Sequence, residues 1–164
     1  MEAMTWGFVG TLVGAVASIA TTVITSWNSL RISQNSKAQD REERARAFQR
    51  ETLLELQVEI RNYLRACYQA YSLDTKNFKN TGQWGSMLPE PLNDQLTELN
   101  AKTSILIQRV SNNELRGKLV ELKKYATKCH LAKNEYDAGA FYVSYNELYE
   151  PLNEQLGEVL RNLY

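Results

Sequence analysis

The strongest constraint on this chain is a run without charge. From Ala3 to Leu30 there is no Asp, Glu, Lys or Arg, and the apolar centre of the run extends from Trp6 to Trp27. A helix rising about 1.5 Å per residue separates those two Trp by roughly 31 Å, near the thickness of a bilayer's hydrocarbon core. Trp at either end of such a run suits the two membrane–water interfaces. A cleaved signal peptide needs a positive start and a shorter apolar region, whereas the only charge before this run is Glu2. A buried soluble helix uncharged through 28 residues is out of proportion to a chain of 164. The expectation is therefore a transmembrane segment over residues 1–30.

The flanks orient it. No Lys or Arg precedes the run, and Arg31, Lys37, Arg41, Arg44, Arg46 and Arg50 follow it. Basic residues are retained on the cytoplasmic side, which places the N-terminus outside and the body inside a cell's inner (plasma) membrane in a single pass. Arg31 joins Trp6 and Trp27 as an expected interface residue. Asp40, Glu42 and Glu43 dilute the basic character of residues 31–50. This stretch reads as a polar helical stalk that sets topology rather than as a lipid-binding patch. Within it Ser33-Gln34-Asn35-Ser36 has no apolar seam and is its expected weak point.

One face of the run is small. Gly10, Gly14 and Ser18, with Thr22, recur every four residues, a spacing that lets two helix backbones approach closely and permits a homo-oligomer. The run carries no ionisable group, which argues against a proton relay or a voltage sensor. Thr21, Thr22, Thr25 and Ser26 can line a pore in an oligomer or bond back to their own helix.

The segment Trp6-Gly7-Phe8-Val9-Gly10-Thr11-Leu12-Val13-Gly14-Ala15, followed by a basic, Glu-rich helix, resembles the start of many small bacterial single-pass membrane proteins of unassigned function. The resemblance covers about forty residues and implies a bacterial inner-membrane setting, with no activity attached.

From residue 51 onward the apolar residues fall on a helical period. Leu53, Leu56, Ile60, Leu64, Cys67 and Tyr71 form one stripe, and Leu92, Leu96, Leu99, Thr103, Leu106 and Val110 a second. Leu115, Leu119, Leu122, Ala126 and Cys129 form a third, and Tyr145, Leu148, Leu152, Leu156, Val159 and Leu163 a fourth. Connections are expected near residues 74–89, 111–113 and 134–141, where Gly, Pro, Asn and Asp collect. The stripes also repeat. Val58-Glu59-Ile60-Arg61-Asn62-Tyr63 matches Val120-Glu121-Leu122-Lys123-Lys124-Tyr125, and Cys67 matches Cys129 at the same offset. Glu90-Pro91-Leu92-Asn93-Asp94-Gln95-Leu96 matches Glu150-Pro151-Leu152-Asn153-Glu154-Gln155-Leu156. Shared helical periodicity accounts for matching Leu, but not for matching Pro, Tyr, Asn and Cys. The reading is an all-α chain: a transmembrane helix, a stalk, and an antiparallel four-helix bundle over 51–164. Two repeated hairpins, about 51–111 and 112–164, build that bundle. Pro91 suits the first turn of its helix, while Pro151 either starts a helix or kinks one.

Charge narrows the function. Nineteen basic and nineteen acidic residues leave a neutral total, so a basic nucleic-acid module is not expected. In the second hairpin Arg116, Lys118, Lys123, Lys124, Lys128 and Lys133 lie on one helix, and Glu135, Asp137, Glu147, Glu150, Glu154 and Glu158 on the next. The two faces complement each other within the hairpin, or the basic one serves a phosphate or an acidic partner. A single His and two Cys make no metal or disulfide framework, and His130 beside Cys129 lacks the spatial opposition of a nucleophile and base. No catalytic residue, metal or cofactor is expected, and the chain does not read as an enzyme. Recognition falls to the first loop, where Trp84, Met87 and Leu88 sit among glycines. They either anchor a partner or fold back over the bundle. The functional expectation is a membrane-anchored adaptor or sensor working through protein contacts. The alternative is an effector that perturbs or perforates the bilayer by oligomerising through its apolar helix.

Overall fold

The computed structural model describes residues 2–85 and 87–164, and the side chains of residues 2–9 and 12 lie outside that description. Every regular element among the described residues is helical: α1 Glu2–Thr81, α2 Glu90–Arg109, α3 Asn113–His130 and α4 Glu135–Arg161. The chain divides into two compact units, Met1–Ala45 and Arg46–Tyr164.

The second unit is the bundle. Its core draws Leu53, Leu56, Ile60 and Tyr63 from α1 and Leu96, Leu106 and Ile107 from α2. From α3 come Leu115, Leu119 and Leu122, and from α4 Tyr145, Leu152 and Leu156. Cross-contacts give the up-down order. Gln49 near the start of this part of α1 donates to the Arg109 carbonyl and accepts from the Ser111 amide, at the end of α2. Arg50 reaches the Leu163 carbonyl beyond α4. Tyr63 and Cys67 meet Thr127 and His130 of α3, so α1 and α3 run parallel, as the repeat requires.

The helix ends follow local chemistry. Asn112 caps α3 by accepting from the Leu115 amide at 2.9 Å, satisfying one of the orphan donors of a first turn. Pro91 lies in the first turn of α2, where a missing N–H is no loss. Its repeat mate Pro151 lies inside α4 instead, so residues 135–161 are one helix.

Three expected boundaries shift. Ser33–Ser36 lies within α1, because Ser and Asn lower helix propensity without the breaking power of Gly or Pro. The first connection shrinks to residues 82–89. The Thr75 and Thr81 hydroxyls bond to the Tyr71 and Asn77 carbonyls inside the helix, and α1 stops only at Gly82 with φ 72°. The last connection shortens to residues 131–134. Asn134 caps α4, and Gly139, taken for a breaker, lies in the helix with an added Cβ only 3.9 Å from the Tyr71 hydroxyl.

Among the described residues no helix is long and apolar enough to cross a membrane. The apolar run also includes Trp6, Phe8, Val9 and Leu12, whose side chains lie outside the described residues.

Candidate functional site

In the unit Met1–Ala45, α1 has two unlike faces. At about 100° per residue, Val13, Val16, Val23 and Trp27 fall on one side, and Gly10, Gly14, Ser18 and Thr25 on the other. The apolar side chains are bare: Val16 is 60%, Ile19 65% and Trp27 73% exposed. A Cβ added at Gly10 or Gly14 meets nothing within 4 Å, so the backbone there is open to a second helix. The hydroxyls of Thr21, Thr22 and Thr25 donate to the carbonyls of Ala17, Ser18 and Thr21 at 2.8–2.9 Å, so they need neither water nor a pore to be satisfied. Trp27 and Arg31 are exposed, as is Ser18, and the side chain of Trp6 lies outside the described residues.

In the bundle the first loop closes over one end. The Trp84 indole N–H donates to the Ala132 carbonyl at 3.0 Å, tying the loop to the end of α3. Its ring lies 6.0 Å from Phe78 and 6.2 Å from Tyr71, and Tyr71 stacks on Tyr142 at 5.0 Å. Trp84 is thus half-buried in an aromatic ladder, and Leu88 packs against the core. Met87 is left 99% exposed. Two residues on begins a groove of about 510 Å³, lined by Tyr68, Leu73, Pro89, Pro91 and Leu92. The sequence reading missed this groove, although the signal was available. Pro91 fixes the entry of α2, and Tyr68 and Leu73 lie off the buried stripe of α1.

The expectation that His130 and its chain neighbour Cys129 form no nucleophile–base pair left the other cysteine unconsidered, and it is Cys67 that His130 meets. The His130 Nδ1 lies 3.5 Å from Cys67 Sγ, while Cys129, adjacent in the chain, donates its thiol to the Ala138 carbonyl at 3.4 Å. The repeat offset held the clue, since it aligns Cys67 with Cys129 and so brings α1 beside His130. Tyr63 Oη and Thr127 Oγ1 close the layer at 2.7 Å. This geometry does not make a nucleophile. Burial, above all, pushes both thiols up to about 12, and burial lowers His130. All three groups are therefore neutral near pH 7, the opposite of a thiolate–imidazolium pair. Both cysteines are free and buried. No group of three or more His, Cys, Asp or Glu among the described residues could hold a metal ion.

The charge segregation of the second hairpin is not resolved by pairing between its helices. Lys118 pairs with Glu114 of its own helix at 2.7 Å and donates to Gln155 of α4 at 2.9 Å. The α4 carboxylates form no ion pair among the described residues. No family model, curated protein or solved structure matches the chain.

Proposed function

We propose that this chain is a membrane-anchored helical bundle that recruits a protein partner, as an adaptor or sensor. One observation carries the reading: the first unit presents a stripe of bare apolar side chains, from Val13 to Leu30, with no charge among them. Water is a poor solvent for such a stripe, and hydrocarbon is a good one. The six basic residues that follow support a cytoplasmic bundle. Recruitment is assigned to the loop end, where exposed Met87 adjoins the groove of Tyr68, Leu73, Pro89 and Leu92. Met adapts to irregular apolar partners, and a groove with rigid Pro walls gives it a fixed neighbour.

Crosslinking in native cells, followed by pull-down of the full chain, tests the reading. A discrete partner should be recovered from the membrane fraction, and Met87→Glu together with Leu73→Glu should cut its recovery by about tenfold. Undiminished recovery from this double variant removes the loop end as the contact.

The open backbone at Gly10 and Gly14 favours a second reading, in which the apolar helix self-associates and perturbs the bilayer. Induced expression would then depolarise cells, and Gly10→Ile with Gly14→Ile would abolish the effect. Harmless overexpression eliminates it.

A further inference from the structure

The basic face of α3 meets α2 in a groove of about 360 Å³, within the roughly 300–1,000 Å³ span of small-molecule sites. Its apolar floor is Ile107, which is buried, and Val120, which is 46% exposed. Lys123, Lys124 and Lys128 stand around it, and no carboxylate lines it. Lys123 is half-buried and donates to the Ser104 hydroxyl across the groove. A hydroxyl is a neutral partner, so the ammonium has given up part of its hydration without gaining an opposite charge. Burial accordingly lowers the Lys123 pKa. Lys128 lies over the Phe141 ring at 5.2 Å, and Lys124 extends into solvent with no partner among the described residues.

We propose that this groove is a binding site for a small single-chain amphiphile with a carboxylate or phosphate head. The head would sit between the Lys123 and Lys124 ammoniums, with Ser104 as a further donor, and the apolar body would lie on Ile107 and Val120. Charge complementarity selects the head, since the Lys123 and Lys124 ammoniums stand at the groove without a counter-charge among its lining residues. The apolar floor selects a body over a bare anion. The volume selects one short chain over a two-chain lipid. The site belongs wholly to the bundle and holds whether or not the first unit enters a bilayer.

Isothermal titration of the full chain, held in neutral phosphatidylcholine nanodiscs, tests it with hexyl phosphate as the probe. Saturable one-to-one binding is expected, weaker by several-fold for inorganic phosphate and absent for hexyltrimethylammonium. Lys123→Gln should weaken hexyl phosphate by about tenfold, the scale of one charge-assisted hydrogen bond. Lys102→Gln, which alters an exposed lysine outside the groove, should leave it unchanged. Circular dichroism of the Lys123→Gln protein should match the parent, which separates a lost contact from a lost fold. Equal binding of the cationic probe, or an unchanged Lys123→Gln affinity, overturns the proposal. Displacement of the probe by anionic lipid in the nanodisc would assign the groove to a bilayer surface instead. A concentration-dependent dimer that Lys123→Gln dissociates would assign it to the acidic α4 of a second copy. Either result also overturns the proposal.

Discussion

Helix α1 carries apolar residues in two unlike ways. Over residues 53–67 one stripe, Leu53, Leu56, Ile60, Leu64 and Cys67, recurs every three or four positions and is buried, with Leu56 0% and Ile60 3% exposed, while Leu54 and Val58 off the stripe stay about half exposed. Over residues 13–30 the large side chains are just as apolar, yet Val13 remains 62% and Leu30 63% exposed. The intervening positions make the difference. Between Leu53 and Cys67 lie Glu55, Glu59, Arg61 and Arg65, which keep the opposite face in water, so the rest of the chain need cover only one stripe. Between Val13 and Leu30 the intervening residues are Gly, Ala, Ser and Thr, with the single amide Asn28 near the end and no charge. That segment has no face that requires water, and nothing else in its own unit covers it. Periodic apolarity is answered within the chain, whereas charge-free apolarity calls for a different solvent or a second copy.

The comparison can be broken from either side, and the largest effect is expected in the bundle. Leu56→Ala leaves a cavity beneath a fully buried position and should cost about 2–5 kcal/mol, read by urea unfolding of the full chain in a mild detergent. Val16→Ala should leave that transition where it is. Equal losses from the two would show that residues 10–32 share the bundle's core. Next comes Ile19→Arg, which places a charge at the centre of the bare stripe. It should disfavour bilayer insertion by about 2.5–3.5 kcal/mol in a translocon insertion assay and leave bundle unfolding unaltered.

The same contrast explains how much was legible beforehand. Leu119, Leu122 and Leu156 announced their burial by spacing alone, and the repeat fixed the parallel course of α1 and α3. The ends of the helices were harder to place. Asn77 and Thr81 are common turn residues, but here the Thr81 hydroxyl bonds back to the Asn77 carbonyl inside α1, while the Asn77 side chain donates to the Gln83 carbonyl just past the helix end at Gly82. Pro91 and Pro151 have the same neighbours in sequence yet different places in their helices, because the residues before Pro151 continue a packed stripe through Tyr145 and Leu148. At the candidate sites, pattern marked Trp84 and Met87 alike, and the Trp84 bond to Ala132 with its ring contacts to Tyr71 and Phe78 separates the loop's anchor from the exposed Met87. The neutral pairing of His130 with Cys67 depends on contact between distant segments, which composition does not encode.

Smaller effects sharpen the bundle side. Asn112→Ala removes the α3 cap and should cost about 0.5–2 kcal/mol in the same urea titration. The smallest is acid sensitivity from His130. Its folded pKa lies below the ordinary 6.5 because burial disfavours the cation. The folded bundle therefore holds fewer protons than the unfolded chain once the pH drops through 6.5, and stability should fall as the pH is lowered from there. His130→Asn should flatten this limb of the stability profile, and an unchanged slope would move its origin to other groups.

The central claim is that the bare stripe of α1 lies in a bilayer. Alkaline carbonate extraction of membranes from cells expressing the full chain at native level tests it most directly. The account predicts that the chain stays in the pellet and is released only by detergent, and that Ile19→Arg shifts much of it to the supernatant. Release of the parent chain by carbonate alone would contradict the claim and leave self-association as the cover for Val13, Val16, Ile19 and Trp27.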